Sequence, residues 1–261
     1  MLKYIIWLRY LSKKKIVLLS IAAVAFSCAL LIVVSSLFTG FINAFEASAS
    51  DTLGDVVIAA SDGMKIEKYD HLIESLKDIE SVEAATAVIT TQGLLRLASG
   101  NVRAVEIWGI DIQTRAQVVA LKQSLLKQKD SLNPLTFNPS NNEDILGGFI
   151  GIAITEDPDP ITDEYDVQAV LKENIDKKVA LTTGVLIEDD AVQGESRFKR
   201  RNIAFTITDI FFTGTYEIDK NFVFLPIDKL QEKLYPDIDL PIADQVHIKL
   251  KADSDIELSM A

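Results

Sequence analysis

An uncharged apolar run from Ile16 to about Phe38 dominates the hydrophobic pattern and predicts one membrane-spanning helix. Its length of about 23 residues, at 1.5 Å per residue, covers a hydrocarbon core of about 30 Å. Apolar positions continue past the run through Leu37, Phe38, Phe41, Ile42 and Phe45, spaced mainly three or four apart. That spacing keeps one face of a helix apolar as it leaves the bilayer. Such a face needs either a partner helix or a lipid to cover it. Lipid contact and plain packing on further spans are even alternatives at this point.

Beyond Ser50 the pattern alternates between short strands and amphipathic helices. Gly54 to Ala60 reads as a short buried strand ended by Ser-Asp-Gly. Lys68 to Ile79 reads as a helix with Tyr69, Leu72, Ile73, Leu76 and Ile79 on one face. Val82 to Thr91 and Leu94 to Ala98 read as two strands, and the Ser99-Gly100-Asn101 turn leads into a third from Val102 to Ile110. Asp111 caps a helix reaching about Gln128. This order predicts a lobe with helices on one sheet face.

The character changes near Ser131. A loop rich in Asn and Pro is followed by Ile145 to Ile154 and an acidic, proline-punctuated stretch from Glu156 to Asp166. Strands are expected at Lys178 to Ile187, Ile203 to Phe212 and Asn221 to Leu225, with a helix from Pro226 to about Leu234. Asp244 to Lys251 alternates as a strand with Val246, Ile248 and Leu250 on one face. Asp253 to Leu258 has the acids and cap of a helix N-terminus, and the chain stops one turn later, so the sequence is expected to be truncated.

Charge fixes the expected orientation. Lys3, Arg9, Lys13, Lys14 and Lys15 all precede the apolar run, which places the N-terminus in the cytoplasm and the rest across the membrane. A cleaved signal peptide is the competing reading, with Ala47-Ser48-Ala49 as its A-x-A site, but its apolar region would be only about 7–15 residues. Taking those five cations from the net charge of −12 leaves −17 for the remainder. That field repels nucleic acid. The single cysteine, Cys28, lies inside the apolar run, so no disulfide supports the exported part.

No catalytic constellation emerges, and the chain is expected not to be an enzyme. His71 and His247 lack companions at metal-ligand spacing, which favours satisfied structural histidines. The stretch from Asp157 to Asp166 lacks the glycine and terminal glutamate of a calcium loop and reads as a solvated loop. Glu188-Asp189-Asp190 reads as a charged hairpin tip. Arg197, Lys199, Arg200 and Arg201, with only Phe198 among them, read as a solvated or acid-paired turn. Neither a phosphate loop nor a serine nucleophile elbow occurs, and no cofactor motif is present.

Three segments carry a family resemblance. Arg9 to Lys15, the span and Ser36-Leu37-Phe38-Thr39-Gly40-Phe41 resemble the start of lipoprotein-releasing (Lol-type) ABC transporter permeases. Val105-Glu106-Ile107-Trp108-Gly109-Ile110-Asp111 is similar to the strand ending in Gly-Val-Asp of the MacB-type periplasmic core. Ile207 to Asp219, containing Gly214-Thr215-Tyr216-Glu217-Ile218-Asp219, resembles the Lol-type pattern of strand, Gly-x-Tyr-Glu-x-Asp and second strand. The three further spans and coupling segment of that family are not present in these residues.

The resemblance implies an α+β fold: one transmembrane helix followed by a two-lobed extracytoplasmic domain. Residues 1–15 would be the cytoplasmic basic segment and 16–50 the span with its outward extension. Residues 51–135 and 244–261 would form a porter-like lobe, and 136–243 a β-rich inserted lobe. It further implies a permease subunit in the bacterial inner membrane that couples ATP hydrolysis by a cytoplasmic ATPase to motion outside. Its partners would be that ATPase, a second permease subunit, a lipid-anchored cargo and a periplasmic carrier. MacB-type export of another substrate, or a non-transport permease regulating a cell-envelope partner, is the alternative. A single-span adhesin or sensor would require Ala261 to be the true end. Leu37, Phe38, Phe41, Ile42 and Phe45 are then candidates for lipid or helix contact. Gly214, Tyr216, Glu217 and Asp219 are expected in an exposed partner-contact turn, with stability little affected by removing the two acids.

Overall fold

A computed structural model describes residues 15–61, 64–139, 145–188 and 196–251. The basic segment before Lys15, the hairpin tip at Asp189-Asp190 and the helix start at Asp253 lie outside the described residues. In chain order the elements are α1 (Lys15–Leu53), β1 (Val56–Ala59), β2 (Ile66–Glu67), α2 (Tyr69–Lys77), β3 (Val82–Arg96) and β4 (Val102–Ile110). Then come α3 (Ile112–Val118), α4 (Leu121–Ser124), β5 (Gly147–Gly151), α5 (Ile152–Thr155), α6 (Val167–Asn174), β6 (Lys178–Glu188) and β7 (Ser196–Phe211). The last are α7 (Tyr216–Asn221), β8 (Phe222–Pro226), α8 (Ile227–Leu234), β9 (Ile242–Ala243) and β10 (Gln245–Leu250).

Residues 1–49 form one unit and 50–261 another. The second is built on an eight-stranded sheet in the order β1-β10-β3-β4-β8-β5-β7-β6, in which β6 also pairs with β3. That last pairing, Gly93 to Arg96 against Thr183 to Ala180, closes six strands into a ring. Closure leaves those six strands without a free edge between them, while β10 and β1 extend the sheet beyond the ring from β3.

Alternation along the six strands separates two apolar faces. Ile89, Leu95, Ile107, Ile150, Leu181, Phe205, Val223 and Leu225, drawn from all six, form one buried cluster, which is therefore the inside of the ring. Their neighbours Val88, Trp108, Ile110, Phe149, Phe211 and Phe224 form a second cluster with Leu121, Leu125, Leu135 and Phe137 from the chain that wraps outside.

Gly93 sits inside the C-terminal third of β3, a single 15-residue strand where a break was expected. A Cβ there would lie 2.7 Å from the Thr182 carbonyl oxygen and 2.9 Å from Ile107 Cδ1. The glycine permits close approach at the ring's closing seam rather than a turn.

Two further expectations are corrected. The Gly54–Ala60 segment forms β1, which pairs only with β10 and alternates half-buried with exposed, so it is an edge strand and not a buried one. The helix expected from Asp111 to Gln128 stops at Val118, and a short α4 follows. Asp111 does cap it, accepting from Gln113 N at 2.8 Å and Thr114 N at 3.1 Å. Distant β7 claims the remaining backbone: Leu126 N donates to the Ile210 carbonyl, and Lys127 N and Gln128 N donate to the buried Asp209 carboxylate at 2.9 and 2.8 Å. Tertiary bonds to a buried carboxylate outweigh the few tenths of a kcal/mol per residue of helix propensity.

β10 lies between β1 and β3, so the last described strand returns to the segment before residue 135. Strands from residues 51–135 and 136–243 share the one ring through β3–β6 and β4–β8, and no gap in the sheet separates them.

Candidate functional site

The first candidate is the apolar face of α1. Ile16–Phe45 is the one described helical stretch long and apolar enough to cross a membrane. At about 1.5 Å per residue its 30 residues reach ~45 Å, beyond a core of about 30 Å. Ser20, Ser27 and Thr39 each donate their hydroxyl to the carbonyl four residues back at 3.0 Å, which satisfies those three hydroxyl protons within the helix itself.

Leu37, Phe38, Phe41, Ile42 and Phe45 fall within an arc of about 140° at ~100° per residue, and all are exposed, Leu37 at 68%, Phe41 at 69% and Phe45 at 66%. The Phe41 and Phe45 rings stack with centroids 6.4 Å apart. Ser36, Thr39, Gly40 and Asn43 occupy the opposite arc. The extension therefore carries one bulky face and one small, polar face.

The second candidate is the connection from β7 to β8, where the structure departs from the expected exposed turn. The segment forms the short helix α7, and Asp219 is only 1% exposed. Its Oδ1 accepts from Thr213 N at 2.8 Å and Thr213 Oγ1 at 2.9 Å, and its Oδ2 accepts from Gly214 N at 3.1 Å. Gly214 turns the chain at φ +79°, a conformation that favours glycine, and the two amides it exposes need an acceptor. Burial pushes the Asp219 carboxyl up, while the Thr213 and Gly214 donors pull it down. Asp219 is thus the internal anchor of this connection. Gly214, Tyr216 and Glu217 remain exposed.

A buried polar cluster that sequence reasoning reached only through His247 lies across β4, α3 and β10. Arg115 is 1% exposed and, among the described residues, its guanidinium bonds to a histidine and a backbone carbonyl instead of a carboxylate. Its Nη1 donates to His247 Nδ1 at 2.7 Å, its Nη2 donates to the Thr52 carbonyl, and its guanidinium lies 5.2 Å from the Trp108 ring centroid. His247 Nε2 then carries the proton and donates to Gln245 Oε1 at 2.9 Å. Burial pushes Arg115 down to about 10. Burial first, and the Arg115 charge second, push His247 from 6.5 to about 3.

His247 is a satisfied structural histidine, neutral in the fold. The unfolded chain binds its proton below about pH 6.5 and the folded chain does not. This residue's contribution is therefore complete above that value and is lost as pH falls toward 3. Its slope should approach ~1.4 kcal/mol per pH unit. Urea unfolding at a series of pH values should show that slope in the native protein and lose it in His247→Gln; equal slopes would refute the assignment.

The remaining charged groups act locally. Asp159 Oδ1 accepts from Ile161 N at 2.8 Å and Thr162 N at 2.9 Å, tying its own loop rather than a cation. Lys199 and Arg200 are exposed, and half-buried Arg201 leaves Nε and Nη2 without a hydrogen-bond partner. His71 is exposed on α2. Among the described residues no group of three or more His, Cys, Asp or Glu is placed to hold a metal.

No family model matches the chain, and no curated protein matches it either. Among solved structures, the periplasmic region of MacB from Actinobacillus actinomycetemcomitans is similar at 10% identity, over 78% of this chain and 77% of that one, with a TM-score of 0.44. The extracellular domain of the noncanonic ABC-type transporter YknZ from Gram-positive bacteria is similar at 12% identity, over 78% of this chain and 86% of that one, with a TM-score of 0.42. This chain is an α+β protein with one N-terminal apolar helix and a large sheet domain.

Proposed function

We propose that this chain is a permease-type subunit of an ABC transporter that releases a lipid-anchored cargo from the bacterial inner membrane. The N-terminus is cytoplasmic, the sheet domain lies outside, and a separate cytoplasmic ATPase supplies the energy. A second permease subunit completes the clasp around the cargo, and a periplasmic carrier receives it. The observation that carries this reading is α1, a helix of 39 residues whose outward portion keeps an exposed aromatic face.

An apolar face beyond the bilayer is stable only when covered, since each bulky side chain contributes about 1.5–3 kcal/mol on leaving water. The acyl chains of a lipid-linked cargo would cover it during release, and neighbouring helices would cover it otherwise. The motif segments add support, because each falls at a defined place: Val105–Ile110 in β4, Asp111 at the cap of α3, and Gly214 to Asp219 between β7 and β8. Their residues hold the fold, so they bear on family rather than on cargo.

Native mass spectrometry of the complex extracted from membranes tests this reading. It should find the chain with residues before Ala49 retained, bound to an ATPase subunit. A mature chain starting at Ser50 or Asp51, or an intact chain without an ATPase, would contradict it.

A further inference from the structure

Large apolar groups stand exposed on two connections of the sheet domain that are far apart in sequence and meet at the Tyr165–Phe212 ring contact. Phe212 directly follows β7 and is 44% exposed, Tyr216 opens α7 at 48%, and Ile161 stands 91% exposed on the loop before α6. Half-buried Tyr165 joins them: its ring meets Phe212 edge-on at 5.9 Å. Burial first, then the charges of Asp219, Tyr216, Asp157 and Asp163, push the Tyr165 hydroxyl up, which places those groups around it. Contiguous exposed apolar surface of this kind marks contact sites, whereas scattered single residues do not.

Both connections are held by hydrogen bonds. Asp159 accepts from Ile161 N and Thr162 N, Asp159 N donates to the Glu164 carbonyl at 2.9 Å, and Asp163 N donates to the Asp159 carbonyl at 2.9 Å. Asp219 fixes Thr213 and Gly214 on the other side. The apolar groups are thus displayed on braced backbone, which lowers the ordering cost of binding. Asp157, Asp163, Glu164 and Glu217 are exposed on these two connections, and the Lys220 ammonium lies 5.0 Å over the Tyr216 ring.

We propose that Ile161, Tyr165, Phe212 and Tyr216 form a docking surface for a cationic amphipathic segment of a partner protein. The segment's apolar side chains cover the aromatic groups, and its Lys or Arg side chains meet the surrounding carboxylates. The charge balance selects this occupant. An anionic lipid surface and a second copy of this acidic chain are both repelled by the rim. The proposal rests on reading the chain as one subunit of a larger envelope assembly, and it assigns the chemistry of one partner.

The test uses the full chain in phosphatidylcholine nanodiscs. Three probes are offered: a synthetic Leu/Trp/Lys amphipathic peptide, its Glu counterpart, and phosphatidylglycerol vesicles. The Lys peptide should bind and the Glu peptide should not. Affinity should fall about tenfold or more both in Ile161→Ser/Tyr216→Ser, which keeps the charge, and in Asp163→Lys/Glu217→Lys. Glu232→Lys, a remote exposed acid on α8, should leave affinity within about twofold, and all variants should keep the native unfolding midpoint. Equal binding by the serine variant, equal binding of the Glu peptide, or vesicle binding lost in the serine variant would each overturn the proposal. So would self-association that disappears in that variant. Cargo release is measured separately: normal release with no peptide binding refutes the docking surface alone, and peptide binding without any release refutes the transport reading alone.

Discussion

Asp219→Ala is expected to destabilise the sheet domain by about 3 kcal/mol or more, although an acid two residues from the exposed Glu217 suggests a surface role. The substitution removes the shared carboxylate acceptor from Thr213 N, Thr213 Oγ1 and Gly214 N at once and empties a buried side-chain site. A buried unsatisfied donor costs about 1–3 kcal/mol, and a bond to a carboxylate lies at the upper end of the hydrogen-bond range. Asp219→Asn should fall between, because one amide oxygen can still accept. Glu217→Ala, which loses an exposed carboxylate that accepts from Asn221 Nδ2 at 3.2 Å, should stay within about 0.5 kcal/mol.

The same joint is tested from beneath by Gly151→Ala. A Cβ on Gly151 would sit 2.0 Å from the Asp219 carbonyl oxygen and 2.6 Å from its carbon, so α7 must move or β5 must leave the ring. Overpacking against backbone is less forgiving than against a side chain, and a loss above ~3 kcal/mol is expected. Urea midpoints of the four variants check the ranking. An Asp219→Ala protein as stable as Glu217→Ala would refute the anchoring role.

Phe41→Asp or Phe45→Asp is expected to abolish cargo release while ATP hydrolysis by the partner subunit continues. A single carboxylate in the stacked Phe41–Phe45 face replaces a side chain worth about 1.5–3 kcal/mol of burial with one that resists leaving water. In the proposed assembly the ATPase would lie across the membrane, so its chemistry would not depend on this face. Thr39→Asp, on the opposite and already polar arc, should be tolerated better. Release assays with a labelled lipid-anchored cargo, run beside phosphate release, separate the two effects. Loss of both activities together would point to a misassembled complex instead.

Local periodicity made several elements legible. β4 occupies Val102–Ile110, as its alternation indicates, and α8 and β10 lie where their apolar faces place them. The long uncharged run yields α1, because nothing in it breaks a helix. What stayed hidden was set by contacts across the chain. The end of α3 depends on Asp209, about eighty residues away, capturing Lys127 and Gln128. Gly93 looks like a turn residue until the β3–β6 seam supplies the neighbour it must admit.

The contact candidates divide in the same way. Exposure along α1 follows from composition alone, so Leu37, Phe41 and Phe45 were visible as a face. Asp219 reads as a surface acid because it stands with Glu217 near Gly214 between two apolar strands, whereas its burial follows from the Thr213 and Gly214 amides that it accepts from. Arg115 gave no sign at all. An arginine on a short helix reads as solvated until Trp108, His247 and Thr52 enclose it.

Photo-crosslinkers placed at Phe41 and Phe45 in the assembled, membrane-embedded complex test the central claim most directly. Crosslinks to the acyl chains of the cargo, formed with ATP absent and lost after ATP-driven release, are the predicted result. Crosslinks confined to protein helices, together with normal release by Phe41→Asp and Phe45→Asp, would contradict it.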